Sequence, residues 1–379
     1  MARFTVVYSL AATDSADARK QAFDLAVEQT LEFPHDLVTD PHIRDEIVGR
    51  VEALEPLPSG RFQVTVSYDE ATAGLEFTQF LNVVFGNTSL KPGVRVESLA
   101  PTAAQTAAFR GPQFGVEGLR HLLGVHHRPL LCSAIKPMGL SVASLADLAH
   151  RFALGGIDFI KDDHGLADQA FSPFQQRISA CMEAVRRANL QTGRRCLYIP
   201  NVTADGSQTL ARARFAKQAG AAAIIISGAL TGLSTLREVA LDPQVGLPVF
   251  FHPALSGCYT ISPTSGFSHF AFFGQLLRLA CADAIIFPNF GGRFSFSREE
   301  CAAIAAGCRS PIPAVRTALP APGGGLGFHN VRDLINFYGR DAVFLMGGGL
   351  FRHNPDLTRS VADLLQLVED EVAATPHAD

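Results

Sequence analysis

The stretch that decides the fold spans residues 158–202 and reads DFIKDDHGLADQAFSPFQQRISACMEAVRRANLQTGRRCLYIPNV. It begins with a short apolar run, DFIKDDH, followed by a segment whose apolar residues recur every three or four positions, which predicts an amphipathic helix. That segment ends at Gly193, the residue type that most often follows a helix C-terminus. A second apolar run, CLYIPNV, comes next. The stretch therefore predicts a strand–helix–strand unit with parallel strands.

The same alternation continues through the rest of the chain. In order, the strand candidates are LLCSAIKP, DFIKDDH, CLYIPNV, AAAIIIS, PVFFHPAL, DAIIFPN, PIPAVRTAL and AVFLMGG. Near-continuous apolar strands that are each followed by a helix are typical of a (β/α)₈ barrel, whereas a doubly wound open sheet would require a topological switch. We therefore predict an α/β protein in which residues 116–379 form a C-terminal (β/α)₈ TIM barrel.

Residues 1–115 have a different pattern, which predicts a small α+β (ferredoxin-like) N-terminal domain. A strand over residues 4–11 precedes a helix that begins near Asp14 or Ser15, both good capping residues. Two strands then flank the turn residues 58–60, and a helix (EFTQFLNVVFG) precedes a last strand (VRVESLA). The expected product is a small sheet covered by two helices.

Composition excludes several classes of partner. The 379 residues are 47% hydrophobic and 18% charged, which indicates two domains with large cores. The net charge of −4 includes no basic stripe, so no nucleic acid is expected as a partner. The opening residues lack the pattern of a signal peptide, so none is expected, and no membrane-length apolar run is found. Its seven cysteines are scattered without a C-x-x-C pair, which favours buried free thiols and a cytoplasmic location.

Polar residues collect where the predicted strands end, which is where barrel enzymes place their active sites. They include Lys136, residues 161–164, His252 and Arg293. Glycine triplets follow the last two strands, at residues 323–325 and 347–349. Glycine lets backbone N–H groups approach an anion, and these two loops are the usual phosphate site of the fold. Tight turns with no ligand are the alternative interpretation.

The chemical centre is the end of the second strand. Side chains alternate along a strand, so Lys161 and Asp163 are expected to point together into the barrel mouth. They could form a plain ion pair or contribute to a metal site. Asp163 and His164 alone supply too few suitable ligands for Mg²⁺, which prefers oxygen donors.

The segment GGIDFIKDDH at residues 155–164 resembles the activation motif of the RuBisCO large subunit. The resemblance implies that Lys161 is carbamylated by CO₂ and holds Mg²⁺ with Asp163, with His164 at the third ligand position. Lys136, in the segment AIKP, resembles the lysine that serves as the enolising base. Further matches in chain order, with expected catalytic or phosphate-binding roles, are Glu28, Asn87, His252, Arg293, Gly324, Gly325, Gly347 and Gly348. Glu28 and Asn87 imply a homodimer whose active sites lie at the subunit interface.

The departures from the family pattern narrow the function. His164 replaces a metal-ligand glutamate, and Met138 stands where a second catalytic lysine is expected. Pro253 replaces an arginine that binds one phosphate, and Ser256 replaces a second barrel histidine. These changes imply a substrate with a single phosphate and an enzyme that does not fix CO₂, as in the form IV RuBisCO-like proteins.

Within form IV, the KDDH variant, with the segments FPNFGGRFSFS and GGGLGFH, resembles the enzymes that act on 3-oxo-isoapionate 4-phosphate more than those of methionine salvage. The expected activity is therefore Mg²⁺-dependent decarboxylation of a small phosphorylated β-keto acid. The alternatives are a C–C hydrolase or transcarboxylase of the same acid, or an isomerase or enolase of a phosphorylated ketose, as in methionine salvage. A non-catalytic, metal-free binding protein is the alternative from another class.

Overall fold

The computed structural model describes residues 2–374, and the chain forms two compact units. One unit includes the chain up to residue 111 together with residues 256–280 and 310–315. The other includes residues 112–255, 281–309 and 316–379. The division into domains at residues 115 and 116 stays a prediction, and two short later segments group with the first unit.

The strands of the described residues are, in chain order, β1 (Arg3–Leu10), β2 (Arg50–Pro56), β3 (Phe62–Asp69), β4 (Val94–Ala100), β5 (Leu130–Ile135), β6 (Phe159–Asp162), β7 (Leu197–Ile199), β8 (Ile224–Ile226), β9 (Val249–Phe251), β10 (Gly266–Phe267), β11 (Ala284–Pro288), β12 (Leu319–Gly323) and β13 (Val343–Leu345).

The α-helices are α1 (Ser15–Glu28), α2 (Glu70–Ala73), α3 (Phe77–Phe85), α4 (Ala103–Phe109), α5 (Gly115–Leu123), α6 (Val142–Gly155), α7 (Phe174–Thr192), α8 (Gln208–Gln218), α9 (Gly228–Thr231), α10 (Leu233–Leu241), α11 (Gly257–Thr260), α12 (Leu277–Leu279), α13 (Arg298–Arg309), α14 (Val331–Tyr338), α15 (Gly348–His353) and α16 (Leu357–Ala374). Short 3₁₀ turns cover His35–Leu37, Asn87–Leu90 and Phe328–Asn330, and π-helical turns cover Ile43–Ile47 and Phe270–Leu276. None of these helices, which lie within residues 2–374, is long and apolar enough to cross a membrane.

The first unit contains a sheet in the order β10-β4-β1-β3-β2, antiparallel except that β10 pairs in parallel with β4. Alternate residues of β1 are buried, and Tyr8 and Tyr68 join their hydroxyls at 2.9 Å between paired strands. Helix α1 begins after Asp14, whose carboxylate accepts hydrogen bonds from the N–H groups of Ala16 and Asp17. The predicted small α+β unit is confirmed.

The second unit contains a parallel sheet in the order β7-β6-β5-β13-β12-β11-β9-β8. Two hydrogen bonds connect its terminal strands, from Ile225 N–H to the Pro200 carbonyl and from Val202 N–H to the Ile225 carbonyl, both at 3.0 Å. The sheet therefore closes into the predicted (β/α)₈ barrel. Buried side chains fill its interior, among them Leu130, Cys132, Phe159, Ile199, Ile225, Phe250, Ile286, Leu319 and Val343. Helix α7 ends before Gly193, which has a φ of 69°, as predicted.

The predicted seventh strand, PIPAVRTAL, was wrong. Residues 310–315 belong to the first unit and include a turn closed by Val315 N–H and the Ile312 carbonyl. The strand is Leu319–Gly323, which contains Pro320 and Pro322. Proline cannot donate to a ladder and argues against a central strand. Here the prolines alternate with residues such as Leu319, whose N–H donates to the Asp283 carbonyl at 2.9 Å.

Candidate active site

The ends of β5 and β6 bring together two of the predicted residues. Lys136 directly follows β5 and Asp163 directly follows β6, and Lys136 Nζ lies 2.7 Å from Asp163 Oδ2. Strands β5 and β6 are paired in parallel, with Ile135 opposite Asp162, so the residues that follow them emerge side by side. The Lys136 side chain is 45% exposed and the Asp163 side chain only 10%. A ligand can therefore reach the amine.

Asp163 is held in its ionised form. Burial alone would raise the pKa of its carboxyl, but the hydrogen bonds from Lys136 and from the N–H of Gly165 outweigh it, and the pKa falls to about 2. An ionised carboxylate at this position can serve as a ligand for a cation or as a partner for a substrate donor.

Lys161 is one of the largest fully buried side chains of the protein. Burial lowers the pKa of its amine, and the nearby Lys136 charge acts in the same direction. The amine donates a hydrogen bond to the carbonyl of Asp162 at 2.7 Å. A buried lysine of lowered pKa has more of the neutral amine, which is the nucleophilic form.

Asp162 faces away from Lys161, as the alternation along a strand requires. Its carboxylate accepts hydrogen bonds from the Tyr198 hydroxyl at 2.5 Å and from the Asn201 N–H at 3.0 Å, and it pairs with Arg177. All of these groups are buried. This polar network attaches the end of β6 to β7 and α7.

His164 and His252 form a stacked pair. Their ring centroids are 4.1 Å apart with an interplanar angle of 13°. His164 Nδ1 lies 3.3 Å from Asp163 Oδ1, so His164 contacts both predicted neighbours. Burial, followed by the Lys161 charge, lowers the pKa of His252 to about 2. Burial also lowers the pKa of His164. Both imidazoles are therefore neutral at pH 7.

His252 has a defined hydrogen-bond role. Its Nδ1 accepts from the N–H of Ala254 at 3.2 Å. In a neutral ring the other nitrogen, Nε2, then carries the proton and is available as a donor. The stacking of the two histidines was not anticipated from the sequence, since the side chains follow different strands.

Of the two predicted phosphate loops, the one after β12 has the backbone shape that only glycine adopts readily. Gly324 and Gly325 have φ values of 86° and 74°. A Cβ on Gly347 or Gly348 would meet nothing within 4 Å, which leaves open space beside the loop after β13. Arg293 is exposed and stacks on its neighbour Phe294, with 5.0 Å between the guanidinium carbon and the ring centroid.

A groove beside Lys136 offers room for a small ligand. Its volume is about 580 Å³, and it is lined by Lys136, Pro137, Leu140, Ala143, Ser144, Asp147, Leu148, Arg151 and Phe351. Volumes of this order accommodate small metabolites.

Glu28 and Asn87 meet within the first unit. Asn87 Nδ2 donates to Glu28 Oε1 at 3.1 Å, from the turn after α3 to the last residue of α1. The two residues that the resemblance paired in function are therefore neighbours in space.

Asn201 lies near the end of the predicted strand CLYIPNV, and no role was predicted for it. In the structure it is buried, and its side-chain amide donates to the carbonyls of His164 and Leu166. Its position as a polar residue near the end of a predicted strand was the one available signal. The hydrogen bonds depend on loop geometry that the sequence pattern does not reveal.

The comparisons with known proteins agree with this geometry. Residues 115–366 match the family described as ribulose bisphosphate carboxylase large chain, catalytic domain. A ribulose bisphosphate carboxylase-like protein 1 from Rhodopseudomonas palustris is 41% identical over 95% of this chain and 96% of that protein. A 5-methylthioribulose-1-phosphate isomerase from Rhodospirillum rubrum is 39% identical over 95% of this chain and 94% of that protein.

A solved structure shows the same architecture. The crystal structure of a RuBisCO-like protein from Rhodopseudomonas palustris has a TM-score of 0.87 and 37% sequence identity, with 98% of both chains covered. The chain therefore belongs to the RuBisCO large-chain family. Within that enzyme family it is a RuBisCO-like protein, as the motif at residues 155–164 implied.

Proposed function

We propose that this RuBisCO-like protein forms an enolate from a small sugar phosphate by moving a proton at carbon, and that the outcome is isomerisation or enolisation of a monophosphorylated ketose. The observation that carries the proposal is the contact of Lys136 Nζ with Asp163 Oδ2 at 2.7 Å. Lys136 follows β5, which pairs with β6, the strand that contains the buried Lys161. The 39% identity with a 5-methylthioribulose-1-phosphate isomerase supports proton transfer over decarboxylation.

The residues fit a divalent cation if Lys161 becomes a ligand. Within residues 2–374 no group of three or more His, Cys, Asp or Glu side chains could hold a metal ion. Asp163 and His164 are thus short of a donor. Lys161 lies on the same strand end, and its pKa is lowered by burial, so its neutral amine can react with CO₂ to give a carbamate. Mg²⁺ held by carbamylated Lys161, Asp163 and His164 would stabilise negative charge on the substrate oxygen.

Lys136 moves the proton in this proposal. Its amine is the exposed member of the pair with Asp163, so it can turn toward a substrate carbon once the carboxylate has another partner. A positioned acid or base contributes about 10²–10⁴ to the rate. His252, neutral and with Nε2–H free to donate, binds the substrate oxygen that gains charge.

The remaining predicted residues bind and orient the substrate. Backbone N–H groups at Gly324, Gly325, Gly347 and Gly348 hold the single phosphate, and Arg293 adds positive charge to the same anion. We further propose a cytoplasmic homodimer in which Glu28 and Asn87 of one subunit complete the site of its neighbour. The exposed position of Asn87 is compatible with a shared site. The seven free thiols are compatible with a cytoplasmic location.

Decarboxylation of a β-keto acid such as 3-oxo-isoapionate 4-phosphate would use the same enolate. The two outcomes differ in whether carbon is lost. The deciding experiment incubates the protein in D₂O with Mg²⁺ and bicarbonate, separately with 5-methylthioribulose 1-phosphate and with 3-oxo-isoapionate 4-phosphate. Deuterium at carbon and an isomeric product from the ketose, without CO₂, support the proposal. CO₂ release from the keto acid favours the decarboxylase instead.

Variants connect the activity to the site. Lys136→Met is expected to lower turnover by about 10²–10⁴ and Lys161→Ala to remove it. Lys217→Met, which changes an exposed lysine on α8, should leave turnover unchanged. Unchanged turnover in Lys136→Met would refute the assigned proton transfer. A protein that neither exchanges a substrate proton nor releases CO₂, and that binds no Mg²⁺, would be the non-catalytic binding protein.

A further inference from the structure

Asn201 lies beyond the end of β7, the strand that pairs with β6, and β6 with the turn after it carries the candidate residues Lys161, Asp163 and His164. It lies two residues beyond the end of β7, after Pro200, and is 1% exposed. Its amide nitrogen donates to the His164 carbonyl at 3.0 Å and to the Leu166 carbonyl at 2.9 Å. Both donors of the amide therefore bind the turn that displays Asp163 and His164.

The backbone N–H of Asn201 binds the residue that precedes this turn, Asp162, and donates to its Oδ2 at 3.0 Å. One residue therefore binds the last residue of β6 and two carbonyls beyond it. Within the turn, Gly165 N–H donates to Asp163 Oδ1 at 3.0 Å, and Leu166 N–H donates to the Asp163 carbonyl at 3.0 Å.

The orientation of the Asn201 amide is itself fixed. Its carbonyl oxygen accepts from Thr203 Oγ1 at 2.7 Å and from Thr203 N–H at 3.2 Å. Thr203 Oγ1 in turn accepts from the N–H of Ser227, the residue after β8, at 2.9 Å. This arrangement sets the amide nitrogen toward the turn, because a flipped amide would lose both Thr203 donors. The ends of three adjacent strands are connected through one side chain.

We propose that Asn201 is a positioning residue that holds the Asp163–His164 turn in the conformation needed to bind its cation and substrate. It touches neither reacting atoms nor the proposed cation, and it acts through the two carbonyls that it binds. The proposal rests on the proposed function for the role of Asp163 and His164. Partners of this kind, one shell outside the ligands, affect metal affinity or activity by about 10- to 100-fold.

The test is Asn201→Asp, which keeps the size of the side chain and replaces its amide donors by an oxygen. That oxygen would face the carbonyls of His164 and Leu166. The matched control is Asn189→Asp. Asn189 also donates to a backbone carbonyl, that of Cys196 at 2.9 Å, and accepts from the Cys196 N–H, but it connects α7 to the start of β7.

Three measurements are made on both variants and the wild type: the melting temperature, Mn²⁺ binding in bicarbonate by titration calorimetry, and hydrogen–deuterium exchange of peptides covering residues 163–168. We expect both variants to have a lower melting temperature than the wild type. Only Asn201→Asp should weaken Mn²⁺ binding, by about 10- to 100-fold, and accelerate exchange in the 163–168 peptides.

Equal Mn²⁺ affinity and equal exchange in the two variants would overturn the proposal and leave Asn201 a structural residue. The exchange measurement needs no ligand or turnover. If the wild type itself binds no Mn²⁺ and turns over no substrate, the proposed function fails, while the exchange data still decide whether Asn201 orders the turn.

Discussion

The Lys136 amine and the Asp163 carboxylate form an ion pair, with 2.7 Å between Nζ and Oδ2. In the proposed mechanism, Asp163 would have to leave Lys136 to bind a cation, and Lys136 would have to leave Asp163 to approach a substrate carbon. The proposal therefore implies that cation binding and release of the Lys136 amine are coupled, because the cation and the amine compete for one carboxylate.

This competition predicts opposite effects of Lys136→Met on binding and on turnover. Turnover should fall by about 10²–10⁴ because the proton-transfer group is lost. Mn²⁺ affinity in bicarbonate should rise by about 1.4- to fivefold, since a partly exposed ion pair contributes about 0.2–1 kcal/mol. Titration calorimetry measures the second effect, with Lys217→Met as the control. Weaker Mn²⁺ binding in Lys136→Met would contradict the competition.

Asp283 predicts a pH dependence of stability. Its buried carboxylate accepts hydrogen bonds from the N–H groups of Phe114, Gly115 and Val249. Burial nevertheless raises its pKa to about 6. A carboxyl whose folded pKa is raised stabilises the protein below its unfolded pKa, near 3.8, and this contribution is lost as the pH rises toward 6.

The loss for Asp283 is on the order of 2 kcal/mol of unfolding free energy between pH 4 and pH 6. Urea unfolding of the wild type and of Asp283→Asn at both pH values measures it, because the amide does not titrate. The variant is expected to be less stable at either pH, since its NH₂ cannot accept from an N–H. A wild-type-minus-variant difference that stays constant with pH would reject the assignment.

Tyr198→Phe removes one hydrogen bond to Asp162 and leaves a buried carboxylate oxygen without that donor. The unfolding free energy should fall by about 1–3 kcal/mol. Arg177 and the Asn201 N–H still bind the other carboxylate oxygen, so the fold is expected to persist. Thermal and urea unfolding give the magnitude, with Tyr259→Phe, an exposed tyrosine, as the comparison. An unchanged stability would mean that the hydroxyl is not an effective partner of Asp162.

Shared active sites predict complementation between inactive variants. Lys161→Ala impairs the barrel part of a site, and Asn87→Ala impairs the part proposed to come from the neighbouring subunit. If the subunits exchange randomly, half of the dimers are hybrids with one intact site, and a mixture should recover about a quarter of wild-type turnover. Asn87→Ala mixed with Glu28→Ala should recover nothing beyond the parents. Full activity in a monomer, measured by light scattering, would exclude the shared site.

Much of the fold was accessible from the sequence because its signals are local. Apolar strands, a capping Asp14 and the terminal Gly193 each act within a few residues. The seventh barrel strand was misplaced because it contains Pro320 and Pro322, and prolines usually indicate a loop. The sequence does not show that the residues beside them form hydrogen bonds with the neighbouring strand. The pairing of β10 with β4 joins residues far apart in sequence, which no periodicity reports.

The candidate site, like the fold, was predictable from the sequence only in part. Lys136, Lys161 and Asp163 were accessible because residues after parallel strands share one rim of the barrel. The stacking of His164 on His252 and the two hydrogen bonds from Asn201 were not, since they depend on how each loop turns after its strand ends. Roles in catalysis stay predictions that the variants above test.

The pairing of Gly266 and Phe267 with Arg95 and Val96 has a practical consequence for dissecting this protein. A fragment cut near residue 115 would keep β4 but lose the strand that covers it. The bare N–H and carbonyl groups of that edge would invite pairing with other chains. Aggregation of an isolated N-terminal fragment would then report a missing edge strand rather than an inability of those residues to fold.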